Sequence, residues 1–374
     1  MQRCGEVVVM TNIFDYLCWR GDLSLRYVPF QELDGAIMAR LAYLPFERLF
    51  PQGLERPLPL AEAGAQLLAV PGLAEQMTQP EDLRLLRVLL GQERFSHAEL
   101  VGFSSLTDKE SQTQFSALAL RLRPDEVTVA FRGTDNTLVG WKEDFNMGFV
   151  CPVPGQTLAV QYLERLVVRY SGALRLCGHS KGGNLAVYAA AFCAPAVQER
   201  ILGVYNYDGP GFDETILSRE GYRAVCARAH TFVPQSSVIG MLLGHEEAYT
   251  IVHSERVGLM QHDIYSWEVE RDGFHHLETV TNSSRFIDYT IKAWIAGMDA
   301  QQRERFVDAI YGIMKETKAE TLRDLNENRI NSARHVLRSL RSLDEQTRSD
   351  VTHALSLLVR STKAGFIQTR QSGK

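Results

Sequence analysis

The chain has 374 residues, of which 45% are hydrophobic and 23% charged, and its net charge is −5. This is the balance of an ordinary globular protein, long enough for one large core or two smaller ones. It supplies no basic footprint for nucleic acid, and no apolar run long enough to cross a bilayer.

The N-terminal stretch "MQRCGEVVVMTNIFDYLCWRGD" has a short apolar run without a cleavage pattern, so no signal peptide is expected. The first hundred residues read as mainly helical. "DGAIMARLAYLPFERLF" and "EDLRLLRVLL" carry apolar side chains at helical spacing, with joints such as "PQGLERPLP" between the pieces. From about Ala98 the texture changes to strands: "AELVGFSSL", "FSALALRL", and "EVTVAF" ending at Arg132-Gly133-Thr134. A helix, "LAVQYLERLVVRYS", leads to the strand "ALRLC", a serine-glycine turn, and the small-residue helix "GNLAVYAAAFC". The strand "ILGVYNY" ends at Asp208-Gly209-Pro210-Gly211. A short helix "DETILSREGY" and the strands "RAHTFV", "AYTIVHS" and "SWEVE" complete the series.

Strand and helix in alternation predict an α/β fold with a mostly parallel sheet covered on both faces. After about Ser283 the pattern is helical again, in "SRFIDYTIKAWIAGM", "RERFVDAIYGIM" and "SARHVLRSLRSL". The last of these sets Val336, Leu340 and Leu343 on one face with basic residues between. Docking on the core or on a partner is the favoured role, and peripheral membrane contact is a second one. The expected division is a helical region over 1–97, an α/β core over 98–297, and a helical extension over 298–374 that frays from Ser361. The six cysteines (Cys4, Cys18, Cys151, Cys177, Cys193, Cys226) form no C-x-x-C pair. Neither a zinc knuckle nor a disulfide framework is expected, and a reducing cytoplasm fits best.

The serine turn, "LCGHSKGGNLAVYAA", is where chemistry is expected. In G-x-S-x-G between strand and helix the turn is so sharp that side chains at its flanks collide, hence Gly178 and Gly182. Ser180 then stands at the C-terminal end of the sheet, beside a helix N-terminus that favours developing negative charge. A glycine-rich turn without chemistry has the same spelling, but the flanking strand and helix favour a nucleophile. An oxyanion needs two donors: the N–H of Lys181, following the nucleophile, and one from the upstream loop, where Thr134 is the candidate. Arg132 and Asp144 are the charges expected to pair and hold that loop.

These segments resemble the class 3, or fungal-type, triacylglycerol lipases. Their pattern F-R-G-[ST], W-x-x-D and G-H-S-x-G-G is matched by Phe131–Thr134, Trp141–Asp144 and Gly178–Gly183. "YNYDGPGF", "GMLLGHEEAYTIVHS" and "QHDIYSWEV" look still more like a bacterial branch of lipase-like proteins. That branch is known mainly as a domain of unknown function, with metagenome-derived esterases among its members. The likeness covers roughly residues 12–290 and implies an α/β-hydrolase fold and a Ser–His–acid site.

Of ten histidines, His262 is the expected base. It lies late in the chain after a strand, as the order Ser…Asp…His requires, and imidazole exchanges protons near neutral pH. Its spacing to Tyr265 resembles the lipases' catalytic-histidine segment. His179 flanks the nucleophile and is expected to point elsewhere. His230 and His253 read as packing residues, while His275 and His276 follow a turn. The acid departs from the pattern: where the lipases carry aspartate after "HTFV", this chain has Ser237, which cannot hold an imidazolium by charge. Asp208, one strand earlier, is the substitute, although an Asp-Gly turn residue is an equally good reading. Asp263, Glu246, Glu247 or a bare dyad are the remaining options.

The expected activity is hydrolysis of a small-molecule or lipid ester through an acyl-enzyme on Ser180, with no cofactor and no metal. A thioesterase, amidase or acyltransferase would use the same residues. A non-catalytic binding protein on the same fold is the rival that Ser237 favours. The oligomeric state is left open.

Overall fold

A computed structural model gives the fold. The residues it describes are 10–54, 56–108, 110, 113–134, 142–143, 146–147 and 151–280, then 290, 293–294, 297–299, 301–303, 305–306, 308–309, 344–354, 356–357 and 360. Trp141, Asp144, the helix expected over 332–343 and the tail from Ser361 lie outside them.

The centre is a nine-stranded sheet in the order β1-β2-β3-β4-β5-β6-β7-β8-β11. The strands are β1 Leu58–Pro59, β2 Glu99–Asp108, β3 Thr113–Arg123, β4 Glu126–Phe131, β5 Ala173–His179, β6 Ile201–Tyr207, β7 Ala229–Pro234 and β8 Tyr249–Val252. Two-residue strands follow at Val269–Glu270 (β9), Gly273–Phe274 (β10) and His276–Leu277 (β11). Neighbours from β4 through β8 are parallel. β1 to β4 and the β8–β11 pair are antiparallel. The sheet is therefore mixed: a parallel centre with antiparallel margins. The strand expected in "SWEVE" shrinks to β9, which pairs with β10 as a separate hairpin outside the main sheet.

Seven helices matter for the site: α1 Ile13–Arg20, α2 Glu32–Leu41, α3 Leu60–Leu68, α4 Pro80–Leu89, α5 Pro154–Arg169, α6 Lys181–Phe192 and α7 Glu220–Cys226. The helix expected over "DETILSREGY" is broken: a turn at Glu214–Leu217 stops before α7. Strands β4 to β8 follow one another across the sheet without reversal. Right-handed crossovers then leave their helices on one face. Leu163 of α5, Leu185 of α6 and Tyr222 of α7 accordingly share a core with Val129, Leu176 and Val204.

The opposite face would be bare, and the N-terminal helices cover it. Leu17, Ile37, Leu67 and Leu86 pack with Leu118, Leu120, Ala130, Cys177 and Tyr207. The period-2 alternation of strands explains the sorting, since Ala117 and Ala119 face one core and Leu118 and Leu120 the other. Two buried ion pairs fasten this layer, Arg40–Asp82 at 2.7 Å and Arg94–Asp34 at 2.5 Å. C-terminal residues Met298, Phe306, Val351 and Ala354 form a small cluster of their own. A salt bridge of 2.7 Å from Lys142 to Asp308 ties that region to the loop after β4.

Candidate active site

Strand β5 runs into α6 through one residue, Ser180, whose φ of 60° and ψ of −134° lie where side chains are strained. The flanking glycines are required by distance. A Cβ on Gly178 would lie 2.1 Å from the carbonyl of Gly182, and a Cβ on Gly182 would lie 2.1 Å from the Phe131 oxygen. The Ser180 N–H donates to the Tyr207 oxygen at 2.9 Å, which sets the turn against the C-terminal end of β6.

The loop leaving β4 passes over this turn. A Cβ on Gly133 would come within 3.2 Å of the Ser180 Cβ and 2.5 Å of the His179 oxygen, so only glycine permits the approach. Half-buried Thr134 follows directly. Arg132 lies 3.7 Å from Glu47; its expected partner Asp144 is outside the described residues. Lys181 opens α6. Its side chain, 1% exposed, donates to Glu143 at 2.8 Å and to the Gln114 carbonyl and side chain at 2.9 Å. Glu143 also accepts from the Gly155 N–H at 2.9 Å. This buried pair joins the start of α6 to the segment between β4 and α5.

His262 ends a 3-10 turn, Gly258–His262, and its Nδ1 lies 2.6 Å from Asp208 Oδ2. The imidazole is 26% exposed and the carboxylate 1%, so the ring reaches solvent while its partner does not. Asp208 follows β6 at the unusual φ of 51°, and its N–H donates to Phe232 at 2.8 Å. Its second oxygen, Oδ1, accepts the Ser237 hydroxyl at 2.5 Å and the Gly240 N–H at 3.1 Å. Ser237 thus donates to the carboxylate from the neighbouring strand end.

His179 does not point away from the group. Its Nε2 lies 2.7 Å from the His262 carbonyl oxygen, and the two rings are 4.5 Å apart. Burial, aided by the nearby His262 and Arg40, holds the His179 imidazole well below its ordinary value. The neutral ring donates from Nε2 to that carbonyl, which leaves Nδ1 to accept from the Tyr43 hydroxyl at 3.3 Å. Tyr43, just beyond α2, was not among the residues singled out, because nothing local marks a tyrosine that acts on a loop 136 positions away.

The other candidates are engaged elsewhere. Asp263 caps the turn at Tyr265 and pairs with Arg256 at 2.6 Å. Glu246 lies 3.9 Å from Arg223, and Glu247 is buried against Tyr222, Thr231 and His245. His230 stacks on Tyr205. His253 pairs with Glu268, His275 with Glu270 and His276 with Glu32. Among the described residues no group of three or more histidine, cysteine or carboxylate side chains is arranged to hold a metal ion, and no helix is long and apolar enough to cross a membrane.

The Mbeg1-like family matches residues 89–312, which span the whole of this arrangement from β2 onward. No curated protein matches the chain. Among solved structures, the Rhizomucor miehei lipase propeptide complex is similar at 13% identity with a TM-score of 0.35. That match covers 52% of this chain and 64% of the lipase chain.

Proposed function

The chain belongs to the Mbeg1-like family, a lipase-like family, and from that premise we propose that it is a serine hydrolase of carboxyl esters with an α/β-hydrolase fold. The observation that carries the reading is the 2.6 Å contact of His262 Nδ1 with the buried Asp208 carboxylate, one residue beyond the Tyr207 oxygen that accepts from the strained Ser180. With Nδ1 held by the acid, Nε2 is the ring nitrogen that serves Ser180. It takes the hydroxyl proton as Ser180 Oγ attacks the ester carbonyl carbon.

The carbonyl oxygen gains the displaced electron pair, and the N–H groups of Thr134 and Lys181 hold it. Collapse breaks the carbon–oxygen bond, and His262 returns its proton to the departing alkoxide. Water then attacks the acyl-enzyme with His262 again as base, releasing the acid and restoring Ser180. Asp208 keeps the imidazole in the tautomer and orientation this exchange needs.

The proposed substrates are esters of lipids or other apolar acids, the location is cytoplasmic, and peripheral membrane contact is compatible with both. The proposed division remains 1–97, 98–297 and 298–374. Matched ester, thioester and amide substrates, offered to wild type and Ser180→Ala, test the reaction class. Ester turnover is expected to dominate and to vanish in the variant. Faster thioester or amide turnover would move the assignment to a neighbouring class, and ester turnover that survives in Ser180→Ala would overturn it.

A further inference from the structure

The segments "YNYDGPGF" and "GMLLGHEEAYTIVHS" supply Asp208 and little else to the chemistry above, yet they are joined closely to each other. Gly211 donates to the Leu242 oxygen at 2.8 Å, and Phe212 and Gly244 exchange two backbone hydrogen bonds of 2.8 and 2.9 Å. The loop after β6 and the loop after β7 are thus zipped together, with Asp208 at the base of the first and Gly240 facing it from the second. A Cβ on Gly240 would lie 2.3 Å from Asp208 Oδ1. Glycine there lets a peptide N–H reach the carboxylate.

What holds the other side of Gly240, its carbonyl in the following peptide unit, is a second histidine–carboxylate pair. His245 Nε2 lies 2.7 Å from the Gly240 carbonyl oxygen, and His245 Nδ1 lies 2.9 Å from Glu247 Oε1. A carbonyl and a carboxylate only accept, so the ring donates from both nitrogens. The pair is enclosed, with side-chain exposures of 8% and 1%. Glu247 is itself anchored, accepting from the Tyr222 hydroxyl and from Thr231 at 2.9 Å. Burial alone would raise the Glu247 carboxyl; the hydrogen bond and charge of His245, with the Tyr222 hydroxyl, instead bring it down to about 2. Glu247 and His245 thus hold the Gly240 carbonyl, and the Gly240 N–H, one Cα away in the preceding peptide unit, reaches Asp208 and through it His262.

We infer that His245 is a positioning residue for the reaction: by holding the Gly240 carbonyl it fixes the backbone on one side of Gly240, so that the N–H on the other side stays on the Asp208 carboxylate and keeps it in the orientation that aligns His262. This rests on the hydrolase reading above. His245 touches neither substrate nor reacting atoms, and its effect passes through Asp208. With the Gly240 carbonyl released, rotation about the Gly240 Cα can withdraw its N–H and leave Oδ1 to Ser237, and the carboxylate gains freedom to turn away from the imidazole.

The test compares wild type with His245→Phe, which keeps a flat ring and loses both donors, and His245→Gln, which keeps one donor for the Gly240 carbonyl. Steady-state hydrolysis of a p-nitrophenyl ester is measured together with the low-field proton resonance of the His262–Asp208 hydrogen bond. His245→Phe is expected to lower kcat by roughly tenfold, the effect of losing one such hydrogen bond in the transition state, with KM little changed. The resonance is expected to shift or broaden, and His245→Gln to recover much of both. A folded His245→Phe with wild-type kcat and an unmoved resonance would overturn the inference while leaving the hydrolase reading intact. Loss in both variants without a change in the resonance would also overturn it, since the effect would then be on general stability. A wild type that hydrolyses no ester and resists Ser180-directed labelling would remove the hydrolase reading, and this inference with it.

Discussion

A carboxylate can serve as the acid of a serine–histidine site only if its oxygens have fixed partners. Asp208 has them: Oδ2 meets the imidazole at 2.6 Å, and Oδ1 is satisfied by Ser237 and Gly240. Ser237 is thereby a donor to Asp208, the proposed acid. Asp263 is adjacent to His262 in sequence but is occupied by Arg256 and a helical turn. Asp208→Asn is accordingly expected to lower kcat by about 10³- to 10⁴-fold, because an amide favours the wrong tautomer. Asp263→Asn should leave kcat nearly unchanged, and comparable losses in the two variants would contradict the assignment. His179 makes a second prediction. Its folded-state value is depressed, so between that value and about 6.5 the unfolded chain binds a proton that the folded one does not. The stability it contributes is present above about pH 6.5 and is lost below it, by up to ~1.4 kcal/mol per pH unit. Urea titrations at pH 8 and 5.5 should show this slope reduced in His179→Gln; an identical slope would refute the buried neutral ring.

At the scale of elements, the strand–turn–helix around Ser180 was the most legible part of the chain. Its cause is local: a Cβ added at Gly178 or Gly182 would come within 2.1 Å of backbone atoms. The loop at Gly133 was legible for the same reason. What sequence could not show is how the elements are tied to each other. Lys181 read as a backbone donor, yet its buried ammonium bonds Glu143, 38 positions earlier. Strands β1 and β11 have two residues each and carry no periodicity at all, and "SWEVE" alternates like a sheet strand although only β9 forms. The Lys181–Glu143 pair yields a prediction. Lys181→Met keeps the N–H but strands a buried carboxylate, and should cost about 3–5 kcal/mol in urea unfolding. Lys181→Met combined with Glu143→Gln should recover a large part of that loss. Additive losses in the double variant would show that the pair does not act as a unit.

For the whole molecule, the helical texture of the first hundred residues was readable, but not its consequence. Because β4 to β8 advance in one direction, their own helices occupy one face, and α1 to α4 are the cover of the other. They also reach the site: Tyr43 bonds His179, while Arg40 lies 4.0 Å from the Tyr43 ring and is paired with Asp82. Asp82 in turn accepts the hydroxyl of Tyr265, three residues beyond His262, at 2.8 Å. Removing residues 1–97 would bare Leu118, Leu120, Ala130 and Cys177, and the truncated chain is expected to aggregate or lose cooperative unfolding. A soluble, cooperatively folded 98–374 fragment would contradict this view of the N-terminal layer.

These layers converge on Ser180, the proposed nucleophile, and a fluorophosphonate probe measures the activation of its hydroxyl directly. Labelling of the folded wild-type chain should approach one equivalent, map to Ser180, fall sharply in His262→Ala and be absent in Ser180→Ala. A folded wild type that takes up no label, or takes it up equally well without Ser180, would contradict the account.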